Sequence, residues 1–171
     1  VYTYHLDTTD VFEHTYTDMN GLWVKQTYDD TGRLIEELNS DETSKVITYV
    51  GSTTDIDRID YQDGSYWDYI YGGLPGEFTI EKVSVVNRTT TEDYNTDGLL
   101  VRSLTWNDRE TSYSYDGLNR LEEEVSSNGT RYVYAYWTTT DVVKTKTTYY
   151  SSGSRRYVYY NETGQMTRTR S

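Results

Sequence analysis

A turn signal that returns about every eleven residues constrains this chain more than anything else in its sequence. One anchor per turn gives Gly21, Gly32, Glu42, Thr53, Gly64, Gly73 and Asn87. The series continues through Gly98, Asp108, Asn119, Gly129, Thr140, Gly153 and Gly164, with gaps of 9 to 14 residues. Asn20-Gly21, Asp63-Gly64, Asp97-Gly98 and Asn128-Gly129 are Asx-Gly pairs. They are the strongest short-range hairpin signal, because these residues tolerate the positive φ of a tight turn. Glu42, Thr53 and Thr140 sit in polar runs and are placed mainly by the spacing.

Such a beat leaves strands of about 6–8 residues and no room for parallel crossovers, so consecutive strands are antiparallel. Tyr132-Val133-Tyr134-Ala135-Tyr136 alternates as a strand does, and so does Lys144-Thr145-Lys146-Thr147. Residues 33–40 and 118–127 compete as helices but are too short to stand alone, and the beat runs through both. The sequence therefore predicts an all-β fold: an antiparallel meander of about fifteen short strands with a turn every ~11 residues. That is too many for one flat open sheet, which predicts a curled or spiralling one. The expectation is a single β-scaffold domain over residues 1–171. Val1 in place of Met marks either a processed leader or a piece of something longer.

Composition agrees. Twenty Tyr and 28 Thr suit a pleated, half-buried surface. With one proline, Pro75, and 12 Gly, the turns fall to Gly, Asn and Asp. Hydrophobic residues make up only 35%, but 15% aromatics argues against disorder. There is no cysteine, which excludes disulfides and thiolate chemistry, and no run of about 18 apolar residues suited to a membrane-spanning helix. Residues 1–86 hold 5 Lys/Arg against 17 Asp/Glu, while residues 87–171 hold 11 of each. A net charge of −12 argues against nucleic acid and anionic membranes as partners, since phosphate binding needs clustered positive charge. The stretch 141–171 is locally basic, and its simplest reading is a solvated surface.

Every second turn carries a fuller pattern. Tyr28-Asp29-Asp30-Thr31-Gly32-Arg33-Leu34 is one copy, and Tyr115-Asp116-Gly117-Leu118-Asn119-Arg120-Leu121 is another. Tyr94-Asn95-Thr96-Asp97-Gly98-Leu99-Leu100 and Tyr160-Asn161-Glu162-Thr163-Gly164-Gln165-Met166 are weaker copies. Intervening turns such as Gly129 and Gly153 feed Arg-Tyr-x-Tyr strands. Elementary chemistry accounts for the unit. Gly or Asn takes the positive φ, and the Asp or Asn after Tyr bonds turn amides through its side chain. Tyr and Leu flank the turn and stack on the next repeat, while Arg reaches a carboxylate or lies over a Tyr ring.

The pattern resembles the YD-repeat, or RHS-repeat, family over most of the chain, most weakly over residues 70–92. The resemblance implies a spiralling β-sheet shell, as in bacterial toxin-encapsulating proteins, insecticidal toxin complexes and teneurins. Members of the toxin class end in a Pro- and Asp-containing motif, which Pro75 alone cannot supply. The expected function is a non-catalytic structural scaffold, secreted or at the cell surface. It would act as a shell wall or as a subunit of a surface assembly or filament. The terminal strands, led by Val1-Tyr2-Thr3-Tyr4, would pair with other copies or with further YD repeats.

Chemical sites are sparse. His5 and His14 read as surface residues, and Asp55, Asp57, Asp60, Asp63 and Asp68 lack the spacing of a calcium loop. No phosphate loop or nucleophile elbow is present. Neither a catalytic residue, a metal nor a cofactor is expected. A second reading makes the fold a carbohydrate-binding module, with Trp23, Trp67, Trp106 and Trp137 as stacking candidates; the plainer reading packs these rings between repeats. Asn87, Asn128 and Asn161 match the N-glycosylation acceptor pattern at a frequency close to chance for so Thr-rich a chain.

Overall fold

The computed structural model describes residues 2–3, 12–138 and 140–171. Among the described residues it is all strand and turn, with no helix. The strands are β1 (Tyr2–Thr3), β2 (Phe12–Thr17), β3 (Trp23–Tyr28), β4 (Leu34–Asn39) and β5 (Ser44–Tyr49). Next come β6 (Ile56–Tyr61), β7 (Tyr66–Tyr71), β8 (Phe78–Val83), β9 (Thr89–Tyr94) and β10 (Leu100–Leu104). The series ends with β11 (Glu110–Tyr115), β12 (Leu121–Ser126), β13 (Arg131–Tyr136), β14 (Val143–Tyr149), β15 (Arg155–Tyr160) and β16 (Met166–Arg170). All lie in one sheet whose order is the chain order, and the sheet does not close. This is the antiparallel meander predicted, with sixteen strands rather than about fifteen; the extra one is the two-residue β1. Both segments that compete as helices are strands, β4 and β12. The start of the expected edge strand, Val1, and also Tyr4 and His5 lie outside the described residues.

The chain forms two compact units: residues 1–70 with 80–89, and residues 71–79 with 90–171. Each is built from the same hairpin. In the first YD turn the Gly32 amide donates to the Asp29 carbonyl (3.0 Å) and the Asp29 amide to the Arg33 carbonyl (2.9 Å). That is a three-residue loop, a type I turn closed by a residue in the left-handed region, Gly32 at φ 84°. The same pair of bonds recurs at 95–99, 116–120 and 161–165. Asn119 holds the left-handed position at φ 60°, and Glu42, Asn87 and Asp108 do so elsewhere.

At three places the spacing misjudged the turn. The amides of Val50, Gly72 and Trp137 bond the carbonyls of Asp55, Glu77 and Val142, one residue further on, so these loops hold four residues. The positive φ therefore falls on Gly51 rather than Thr53, and on Gly76 rather than Gly73.

A second regularity is invisible in the beat. In the pairs β3–β4, β5–β6, β9–β10, β11–β12, β13–β14 and β15–β16 the register slips at the last residue before the turn. Tyr28 thus faces Leu34 while Thr27 faces Glu36, which leaves Ile35 as the extra residue. Tyr115 faces Leu121 and Tyr136 faces Val143 in the same way. Hairpins at the opposite edge, such as β4–β5 and β12–β13, pair without a slip. A bulge bends its strand and sharpens the local twist, so bulges confined to one edge shape that edge differently from the other.

Burial is shallow. Among the described residues Ile47, Ile59, Ile80, Thr27 and Thr148 are buried, and no side chain falls below 2% exposure. Domains ordinarily bury one layer against another. Here the ordering rests on side chains meeting across adjacent strands of a single layer.

Candidate functional site

The most elaborate constellation is the YD turn itself. One carboxylate oxygen of Asp29 accepts the amides of Thr31 (3.0 Å) and Arg33 (2.9 Å) and the Thr31 hydroxyl (2.7 Å). The other accepts Arg33 Nε at 2.6 Å, an ion pair with both side chains under 20% exposed. Burial alone would push Asp29 upward. The Thr31 and Arg33 hydrogen bonds outweigh it and hold the carboxyl far below the usual range. Arg33 then reaches the next turn on the same edge, where Nη1 donates to the carbonyls of Gly51 (3.0 Å) and Thr53 (2.7 Å). Its guanidinium lies 4.8 Å over the ring of Tyr49, whose hydroxyl donates back to the Leu34 carbonyl at 2.8 Å.

The second complete copy repeats the cap, the ion pair and the clamp, without the hydroxyl bond that Thr31 adds and with one clamped carbonyl in place of two. Asp116 accepts the Leu118 and Arg120 amides (2.9 and 3.1 Å) and Arg120 Nε (2.8 Å). Arg120 Nη1 donates to the Thr140 carbonyl (2.8 Å), and its guanidinium sits 4.5 Å over Tyr136. Tyr136 donates to the Leu121 carbonyl at 2.8 Å. The Arg120 hydrogen bond leads the effects that lower the Asp116 pKa. Burial raises those of Tyr49 and Tyr136, so both hydroxyls remain donors. Each Asp–Arg–Tyr set is thus a staple binding one turn to its neighbour two strands away.

The weaker copies keep the turn and lose the staple. Asn95 accepts the Asp97 and Leu99 amides, and Asn161 accepts those of Thr163 and Gln165. Leu99 and Gln165 stand where the arginine would be. Tyr115 still donates to the Leu100 carbonyl at 2.8 Å, because that bond needs only the tyrosine. At the opposite edge the Asx sits at the tip instead. Asp41 bonds Thr43, Asp63 bonds Ser65 beside Gly64, and Asn128 bonds Thr130 beside Gly129.

The other candidates are dispersed. Trp23 opens β3, and Trp106, 54% exposed, sits in the turn after β10. Trp67 meets Tyr61 edge-on at 5.6 Å and lies under Lys82 at 4.7 Å; Trp137 lies under Lys144 at 4.8 Å. Asp60 and Asp68 pair with Arg58, which lies 3.7 Å over Tyr66. His14 sits on β2 opposite Gln26. Among the described residues no cluster of three His, Asp or Glu is arranged to hold a metal ion. Asn87 occupies a left-handed turn position, and the Asn128 and Asn161 side chains are engaged in their own turns.

Sequence reasoning had no means of finding the cross-strand hubs. Arg102 bridges Asp93 and Glu110 (3.0 and 3.3 Å), and Lys146 Nζ lies 4.2 Å from the Tyr132 ring centre and 5.0 Å from that of Tyr134. Their signal is register, which spacing along the chain does not carry.

Comparison with known proteins places these turns in context. The family profile described as RHS Repeat matches residues 94–135, the span from the YD turn that begins at Tyr94 into β13. A search of curated proteins found no match. Among solved structures, the crystal structure of TcdB2-TccC3-Cdc42 shares the fold at a TM-score of 0.56 and 13% identity. That likeness covers 92% of this chain but only 10% of the other.

Proposed function

We propose that this chain, whose residues 94–135 match the RHS Repeat profile, is a non-catalytic wall segment of an extracellular or cell-surface β-structure. The observation that carries this reading is the staple. Its charged chemistry, Asp29–Arg33 and Asp116–Arg120, is spent on the carbonyls of the neighbouring turn and the ring above it. Those contacts stiffen an edge and leave no group poised for proton transfer to a substrate. A wall of this kind grows by adding hairpins at either end. Its terminal strands would pair with further YD repeats, of the same polypeptide or of another copy, because unpaired edges invite strands. Spanning a tenth of the toxin-complex chain it matches, such a segment suits a part of a toxin-encapsulating shell.

Negative-stain microscopy of the native material tests the reading. Shells, or filaments in which β1 and β16 are both paired, are expected. Native particles with both terminal strands bare to solvent would overturn it.

A further inference from the structure

One face of the last four strands carries a lattice of arginine and tyrosine that the staples do not use. The register places Arg131, Tyr149 and Arg155 in one cross-strand row. Thr145, Tyr159 and Arg168 form a second row, and Thr147, Tyr157 and Arg170 a third. Side chains alternate across a strand, so these rows share a face, with neighbours about 4.8 Å apart across strands and about 6.6 Å apart along them. The guanidiniums of Arg131 and Arg155 lie over opposite sides of the Tyr149 position, 5.1 and 5.0 Å from its ring centre. Arg168 lies 6.0 Å from the centre of Tyr159, which stacks on Tyr157 at 6.5 Å.

Charge on this face is almost all of one sign. Among the described residues only Arg131 has an ion-pair partner there, Glu123. Arg155, Arg168 and Arg170 are exposed, as is the whole of β16. Stacking on tyrosine holds two of these guanidiniums in place, so less side-chain freedom is lost when their remaining N–H groups meet an anion.

We propose that this face binds an anionic polysaccharide, with Arg155, Arg168 and Arg170 pairing its acid groups and the intervening tyrosine rings lying against its sugar rings. Guanidinium pairs well with planar carboxylates, which favours uronates. The alternation decides the class of partner. A polyacidic peptide needs only the cations, whereas a third of this lattice is half-buried phenol ring. The wall reading neither requires this site nor depends on it.

The test is calorimetric titration of the whole protein at low salt with polygalacturonate, with dextran and poly-glutamate as parallel arms. Polygalacturonate should bind and dextran should not. The variant R155Q/R168Q/R170Q should weaken that binding about tenfold or more, with an unchanged far-UV spectrum. Tyr157→Thr should weaken polygalacturonate binding and leave any poly-glutamate binding unaltered. Should the triple variant misfold, Arg155→Gln alone, on an exposed position, must still lower the affinity. The proposal is overturned by absence of polygalacturonate binding, or by a folded arginine variant that binds as tightly. It is equally overturned if poly-glutamate binds as well as polygalacturonate, which would make an acidic protein the partner.

Discussion

Removing the hydroxyls of Tyr49 and Tyr136 isolates one bond from each staple. Each hydroxyl donates to a carbonyl fifteen residues earlier in the chain, Leu34 or Leu121, at 2.8 Å. Tyr→Phe deletes that donor and keeps the ring beneath Arg33 (4.8 Å) or Arg120 (4.5 Å), so the cation–π contact survives. A neutral intramolecular hydrogen bond contributes about 1 kcal/mol net. The two staples share no partner, and their effects should add. The double variant Y49F/Y136F should therefore lose about 2 kcal/mol, which for a chain of this size is roughly a 4–8 °C fall in Tm. Urea titration followed by circular dichroism reads it, and the midpoint should fall with the slope unchanged, since little buried area is altered. A double variant within about 0.3 kcal/mol of the parent would show that water replaces both donors without loss. The staple would then be a geometric coincidence of dense turns.

Four further outcomes follow. Gly32→Val should cost more than about 1 kcal/mol through its φ of 84° alone, since a Cβ there meets nothing, and Asn119→Gly should be tolerated. Gly76→Ala should cost more than Gly32→Ala in thermal melts, because its Cβ would lie 2.6 Å from the Thr96 carbonyl oxygen. Raised tyrosine pKa values favour the protonated fold, so the Tyr49 and Tyr136 contribution is complete below pH ~10 and lost above it. Stability should fall in alkali less steeply for Y49F/Y136F than for the parent. Depressed carboxylate pKa values act oppositely: the Asp29 and Asp116 contribution is complete above pH ~4 and lost as pH falls further, a loss that D29N/D116N should blunt.

Hydrogen exchange offers a local check on the arginine. Arg33→Lys keeps the charge but not the guanidinium fork, so the Thr53 amide in the loop it clamps should exchange faster.

Fold class, strand positions and most turns were legible in the sequence because each is a local property. Asx-Gly at Asn128-Gly129 and Asp97-Gly98 sets a φ, and Tyr/Thr alternation sets a period. Even the Asp29 cap and the reach of Arg33 toward that carboxylate could be anticipated, since both residues stand within one turn. The tertiary structure decided three other things. It added one residue to the loops after Val50, Gly72 and Trp137. It confined the bulges to one edge. It chose Gly51, Thr53 and Tyr49 as the partners of Arg33. Nothing local specifies contacts 16 to 20 residues apart along the chain. They exist because a full hairpin intervenes, and antiparallel pairing returns the backbone to the same edge two strands on. The Arg/Tyr face on β13–β16 has the same origin: a single-residue slip in register would move each of its side chains to the other side of the sheet.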